Sequence, residues 1–503
     1  MVDSTLPATA VPPRYQTGFF GHPRGLATLF FTETWERFSY YGMRALLILF
    51  MTAPVAAGGL GFETGVAGAV YGLYTSMVYM TSLPGGWIAD RLIGQRRAVL
   101  YGGIVIASGH FSMAFPSIAT FYLGLFLIVI GTGLLKGNVS VIVGRLYAKD
   151  DIRRDAGFSI FYMGINTGAF IAPLVCGWLG QKVNWHFGFA AAGIGMVLGV
   201  VQYVLGSKHL GDAGLHPAPA ESPEAAARLR NRALMVGLAF LAVVAVLGIG
   251  AYTGSIPVTA KQIADAAGVM LLAIVVVFFA WLLTSGNWTP EERKRIYVIG
   301  VFFLAAALFW SVFEQAGSSL NLFADRNTRN VVLGFNYPSS WFQSMNSLFL
   351  IVFAPIFAWL WIRMAKAGQE PSTPAKFSFG LILVGAGFAI LIWAARMAEQ
   401  GVQVSPMWLT LTYLLHTWGE LSLSPVGLSA MTKLAPVRIG GLMMGVWFLA
   451  TSVGNFIAGR ISGFYESLAL PMLFGAVGFF AIAAGLLLFV FVKPIKRLMG
   501  EVH

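Results

Sequence analysis

Apolar residues fall in runs of spanning length at about 26–55, 66–88, 98–115, 119–147, 157–181 and 187–206, separated by short polar stretches. A helix of about 20 such residues crosses the hydrocarbon core of a bilayer. A linker rich in Pro, Glu and Arg follows from 207 to 232. Two runs at 233–254 and 266–286 then contain no Asp, Glu, Lys or Arg. After the charged Glu291–Arg295 stretch, six more runs fall at about 297–323, 339–363, 378–397, 405–432, 440–463 and 470–492. The pattern is six, two, six, which predicts an all-α membrane protein with 14 transmembrane helices. It divides the chain into an N-terminal segment 1–25, a six-helix bundle 26–206, a linker 207–232, an inserted pair 233–290, a second six-helix bundle 291–493 and a tail 494–503. No exact repeat is visible, so symmetry between the sixes rests on segment count.

Composition agrees. Only 11% of residues are charged and mean hydropathy is +0.74, against about 25% charged residues in soluble chains. With the N-terminus in the cytoplasm, 23 of the 33 Lys and Arg fall in loops or tails on that side and five on the other. That asymmetry satisfies the positive-inside rule with both termini cytoplasmic. It also accounts for the +12 net charge without a nucleic-acid partner. The single cysteine, Cys176, excludes an internal disulfide and lies in an apolar run. Residues 1–24 have no apolar core, so they are not read as a cleavable signal; the first span is expected to serve for insertion.

The first span carries the chemistry. Glu33-Thr-Trp-Glu36-Arg37-Phe38-Ser-Tyr40-Tyr41-Gly42-Met-Arg44 puts four charges inside an apolar run. At about 100° per residue, Glu33, Glu36, Arg37, Tyr40 and Arg44 share an arc of roughly 100° on one helix face. Each charge at mid-membrane costs on the order of 2.5–3.5 kcal/mol, so such a face lines a wet cavity or meets partners. A soluble amphipathic helix is the bland alternative, but Phe30, Phe31 and Leu46–Phe50 flank the charges too closely for it.

The second span closes on Gly85-Gly86-Trp-Ile-Ala89-Asp90-Arg91-Leu-Ile-Gly94-Gln-Arg96-Arg97. A generic basic loop explains Arg96 and Arg97 but not the whole string. It resembles the loop signature of the major facilitator superfamily, which implies two six-helix bundles around a central cavity, here with two extra transmembrane helices. Gly85, Asp90, Arg91 and Gly94 then form a gating loop.

Three further intramembrane charges stand alone in their helices: Lys136, Glu314 and Glu420. Against Arg37, Arg44 and Lys136 stand Glu33, Glu36, Glu314 and Glu420. Salt bridges that only hold helices together remain open for Glu36 and Arg44. A carboxylate in such a setting can also take up and release a proton as a cavity opens. Polar residues recur at helical spacing: Asn321 seven beyond Glu314, Ser424 four beyond Glu420, Tyr162 with Asn166, and Gln343 with Asn346. With Tyr40, Tyr41, Tyr71, Tyr79, Trp310 and Trp447 as aromatic walls, they suit a zwitterion with a variable side chain. Singly, each fits helix packing.

Glu33-Thr-Trp-Glu36-Arg37-Phe38-Ser-Tyr40-Tyr41 resembles the ExxERFxYY signature of the proton-dependent oligopeptide transporter family. Asp155–Ala169 and Gly419–Gly427 resemble that family's fifth- and tenth-helix signatures, and the resemblance spans residues 26 to about 465. It implies proton-coupled import of di- and tripeptides. Arg37 and Lys136 would hold the peptide carboxylate beside Tyr40. Asn166, Asn346 and Glu420 would receive the amine and neighbouring polar groups, with Asn321 on the same surface. Trp310, Trp447, Tyr71 and Ser424 would line side-chain pockets. Glu314 would be the proton site paired with Arg44, while Glu33 and Glu36 couple protonation to Arg37 and Lys136. Gly137 and Ser347 depart from the family pattern, standing where proline is common.

The intact Glu33-Glu36-Arg37 trio and Lys136 favour a proton-coupled zwitterion over nitrate, although an amino acid or a peptide-like drug remains open. A channel or receptor fits less well, since no filter loop or signalling domain is apparent. No nucleophile–base set, metal-ligand cluster or phosphate-cradling loop points to an enzyme or a cofactor; the proton gradient is the expected energy source. The chain is expected to be a multi-pass protein of the cell (inner) membrane that works as a monomer. His416 is read as a packed polar residue.

Overall fold

A computed structural model describes residues 18–148, 151–284 and 286–500. Most of the 1–25 segment, Lys149 and the last three residues of the tail lie outside them. The first half comprises α1 (Arg24–Thr52), α2 (Thr64–Met80), α3 (Ser82–Ile88), α4 (Gln95–Met113), α5 (Ile118–Arg145), α6 (Arg154–Trp178) and α7 (Trp185–Gly206). The inserted pair is α8 (Pro223–Tyr252) and α9 (Ala260–Thr284). In the second half, α10 (Pro290–Phe313) passes through a 3-10 turn at Glu314–Gly317 into α11 (Ser319–Arg326). Then come α12 (Ser344–Lys366), α13 (Thr373–Glu399), α14 (Met407–Leu434), α15 (Met443–Ser462), α16 (Leu470–Val490) and a short α17 (Val492–Met499). A hairpin of β1 (Val331–Val332) and β2 (Phe335–Asn336) joins α11 to α12.

Ten helical segments among the described residues are long and apolar enough to cross a membrane. The more polar α1, the α2–α3 segment, α4 and α14 add four of comparable length, and ten and four make the fourteen that the sequence pattern predicts. One boundary differs. α8 begins at Pro223, inside the stretch read as linker, with Ser222 Oγ accepting from Ala225 N at 3.1 Å as its cap. Glu224, Arg228, Arg230 and Arg232 ride on its first turns. Hydropathy cannot separate a polar helix extension from a loop, whereas a capped Ser-Pro start does.

Close backbone approach joins the halves. A Cβ on Gly459 of α15 would lie 2.3 Å from Gly72 Cα of α2, so these helices touch only because both positions are glycine. One turn on, Ser76 and Ser452 hydroxyls are 2.7 Å apart. Cys176 is fully buried against Gly42, a packing role. α8 is almost bare, with Leu238, Val243 and Leu247 exposed as expected of a lipid-facing surface. α9 docks on α15 through Gly268 against Phe456, and Asp265 Oδ1 lies 2.6 Å from Arg460 Nη2.

Candidate functional site

α1 brings Glu33, Arg37, Tyr41 and Arg44 to the wall of a central cavity of about 290 Å³ between the two halves. At about 100° per residue these four span roughly 80°. The wet face is therefore turned toward Tyr41. Glu36 and Tyr40, placed on the stripe by the sequence, are buried on its flank at 0% and 2% exposure. Arg37 binds both acids: its Nε lies 3.1 Å from Glu33 Oε1 and also pairs with Glu36. Arg37 Nη2, Glu33 Oε2 and Glu36 Oε1 have no hydrogen-bond partner among the described residues.

Lys136 of α5 aims Nζ at the face of Tyr79, 3.3 Å from the ring centroid. Nζ meets no acceptor among the described residues. A cation–π contact is worth roughly 2 kcal/mol when desolvated, less than the several kcal/mol of burying an ammonium. The donors of Lys136 are thus available to an anion that enters the cavity. A Cβ on Gly137 would meet nothing within 4 Å, and α5 continues through that position without a proline bend.

Across the interface, α10 ends at Phe313, so Glu314 opens the 3-10 turn and reaches back to α1. Arg44 Nη2 lies 2.5 Å from Glu314 Oε2, and Arg44 Nε donates to Tyr71 Oη at 2.8 Å. A Cβ on Gly317 would sit 1.8 Å from that hydroxyl, so only glycine leaves room for the arrangement. Tyr71, expected in a side-chain pocket, is fully buried and holds Arg44 from behind instead of lining the cavity. Asn321 is also off the wall: its Nδ2 donates to Ala45 O at 2.8 Å and ties α11 to α1. The helical phase that placed it beside Glu314 is lost at Ser318, whose φ and ψ are −127° and −94°.

The opposite wall belongs to α12, α14 and α15. Asn346 Nδ2 donates to Glu420 Oε2 at 3.0 Å and to Thr417 Oγ1 at 3.1 Å. Ser424, Trp310 and Trp447 line the cavity, and from the first half so does Asn166, whose Nδ2 donates to Tyr162 O at 3.0 Å. Ser424 Oγ and Trp310 Nε1 have no partner among the described residues. The cavity also takes in Tyr41, Tyr79, Tyr162, Phe313, Gln343 and His416. Tyr41 shares a motif with Tyr40 and the true helix phase selects it. His416 packs on Phe388 at 5.3 Å between ring centroids yet reaches the cavity, which its sequence context does not signal.

The residues expected to form a gating loop lie apart from this wall. Gly85 abuts α5, where a Cβ would come 2.0 Å from Gly133 O, and Gly94 makes the turn into α4 with φ +82°. The Asp90 carboxylate accepts from the Gln95 amide, whose oxygen accepts from Arg145 Nη1 at 3.0 Å, while Arg91 is exposed. The 207–218 segment covers the turn: Arg96 donates to Ser207 O and Gly211 O at 3.0 and 2.7 Å, and Ala218 N to Asp90 O at 2.7 Å.

At the end of the bundle remote from the chain termini the halves are shut together. Gln181 Nε2 donates to Asp325 Oδ1 at 3.2 Å and to Ser339 Oγ at 2.8 Å, and Lys182 Nζ to Asn336 Oδ1 at 3.0 Å. Toward the termini, Tyr162 on the cavity wall stays 45% exposed.

Two helical halves around a charged, one-sided cavity define a membrane transporter of the major facilitator type, not an enzyme. Residues 96–477 match the model of the POT family. The chain is 42% identical over 499 residues to the "Peptide transporter YePEPT" of Yersinia enterocolitica, covering 96% of each chain. It is 38% identical over 494 residues to a "Di-/tripeptide transporter" of Lactococcus lactis, covering 96% of this chain and 98% of that one. A crystal structure of a peptide transporter POT in complex with sulfate superposes with a TM-score of 0.90 at 43% identity, covering 96% of this chain and 97% of that chain. The chain belongs to the POT family.

Proposed function

We propose that this protein imports di- and tripeptides together with protons by alternating access. The observation that carries the reading is the polarity of the cavity. Arg37 and Lys136 stand on the wall of the first half, and Glu420 with Asn346 on that of the second, so a short zwitterionic chain is recognised at both ends. Charge-assisted hydrogen bonds contribute about 1.5–3 kcal/mol each, enough to orient a peptide whose side chains vary. The names of the relatives above support this substrate class.

Orientation follows from the basic loops. The termini lie in the cytoplasm of a cell whose inner membrane the protein spans, and the shut end faces outward; the conformation described is inward-facing. With Glu314 ionised, Arg44 is held and the outer end stays closed. Protonation of Glu314 releases Arg44, which permits the outward state and peptide entry; return to the inward state exposes Glu314 and frees the proton. Glu33 and Glu36 compete with the peptide carboxylate for Arg37, coupling occupancy to their own charge. One chain contains every group named, so a monomer suffices, and the proton gradient replaces any cofactor.

Competition by capped dipeptides tests recognition. N-acetyl dialanine loses the Glu420 contact and dialanine amide loses the Arg37–Lys136 contact, so each competes about 10–100-fold more weakly than dialanine. Lys136→Ala should shrink the penalty for the amide, since Arg37 remains, but keep the full penalty for the acetyl cap. Equal competition by all three ligands contradicts the assignment of the two ends.

A further inference from the structure

A second polar cavity lies at the inner end of the second half, away from the transport path. It is lined by Glu370, Ser372, Lys376, Lys433 and Lys496, with Pro425 at its base, and has a volume of about 510 Å³. Three elements bring lysines to it: Lys376 from the first turn of α13, Lys433 from the last turn of α14, and Lys496 from α17. Lys376 is 6% exposed, bonded to Glu370 Oε1 at 2.5 Å, with Nζ 4.7 Å from the Trp361 ring centroid. Lys433 and Lys496 are exposed and form no ion pair among the described residues. One carboxylate against three ammonium groups leaves the cavity with an excess of two positive charges.

The surroundings say what fills it. α13 starts here, so the positive end of a 27-residue helix dipole lies beside the cavity and adds to its positive potential. α17 leaves α16 as an amphipathic stub that packs Ile495 and Met499 on the protein core and presents Lys493, Lys496 and Arg497 outward at the inner end. Trp359 and Trp361 mark the same level on α12, as interfacial tryptophans do. Lysines from three elements, two of them without an ion pair among the described residues, converge at headgroup depth on one concave site of excess positive charge and match a phosphate anion.

We propose that this cavity binds a phosphate group, presented by the headgroup of an anionic phospholipid in the cytoplasmic leaflet. The proposal rests on the orientation given above but not on the transported substrate. It joins the start of α13 to the last turns of α14, from Pro425 to Lys433, so an occupant braces the helix that carries Glu420.

Native mass spectrometry of the purified full-length protein, titrated with phosphatidylglycerol or phosphatidylcholine, tests it against a Lys433→Gln/Lys496→Gln variant. Each lysine near an anionic surface contributes about 1 kcal/mol, so the variant should lose roughly tenfold or more in phosphatidylglycerol retention and nothing for phosphatidylcholine. An Arg230→Gln/Arg232→Gln variant on α8 should retain the lipid as the wild type does. A thermal-unfolding arm with inorganic phosphate separates the sources. Stabilisation by the lipid alone confirms the headgroup; equal stabilisation by both, lost in the lysine variant, keeps the site but moves its ligand to solution. Unchanged phosphatidylglycerol retention in the lysine variant, or equal loss in the α8 variant, overturns the proposal.

Discussion

Arg44 and Glu314 meet at 2.5 Å across the interface between the two halves, with the guanidinium also donating to Tyr71. Both side chains are nearly inaccessible, at 6% and 5% exposure. Breaking a buried pair by removing one charge costs about 3–5 kcal/mol, so this contact is sensitive to the charge of Glu314. Glu314→Gln keeps the shape and part of the hydrogen bonding but fixes the neutral state. Gradient-driven accumulation should disappear while peptide counterflow persists. Accumulation at the wild-type level would remove Glu314 from coupling.

Gly317 provides a test that changes no titratable group. Its missing Cβ is what lets the Tyr71 hydroxyl reach Arg44. Gly317→Ala should displace that hydroxyl, at the roughly 1–3 kcal/mol typical of overpacking, and lower gradient-driven uptake. Adding Tyr71→Phe removes the clashing oxygen but not the loss of the contact, so it should recover stability and not uptake. A fully active Gly317→Ala protein would show that the Tyr71–Arg44 contact has no part in transport.

The inserted pair predicts a separation of stability from function. α9 is fastened by Asp265 to Arg460 and by Gly268 under Phe456, both far from the cavity residues. Asp265 is 47% exposed, so solvent screening leaves its pairing a minor contribution. Asp265→Asn should shift the unfolding midpoint slightly and leave uptake unchanged. Gly268→Leu, which drives a side chain into Phe456, should cost more stability. Loss of uptake in a stable Asp265→Asn protein would give the insertion a direct role.

Much of this was legible in the chain. Period and length located the spans because lipid demands long apolar helices, and the rarity of charge inside them singled out Glu33, Arg37, Lys136, Glu314 and Glu420. What failed was phase. An ideal helix centres the α1 stripe near Tyr40, but packing turns Tyr41 to the cavity and buries Tyr40 and Glu36. Seven residues from Glu314 to Asn321 should preserve the face, but the 3-10 turn and Ser318 reset it. Tyr71 looked like a pocket wall because nothing local shows that it stands behind Arg44. Tyr79, read as an aromatic wall, does line the cavity, whereas His416 carries no motif and only the assembled halves bring it to the site.

The most direct test of the central claim is uptake of radiolabelled dialanine into proteoliposomes under an imposed inward proton gradient, with and without an uncoupler. The account predicts accumulation above equilibrium that collapses when the gradient is dissipated and that Glu314→Gln cannot support. Uptake that only equilibrates, unchanged by uncoupler, in vesicles that still exchange another solute would contradict it.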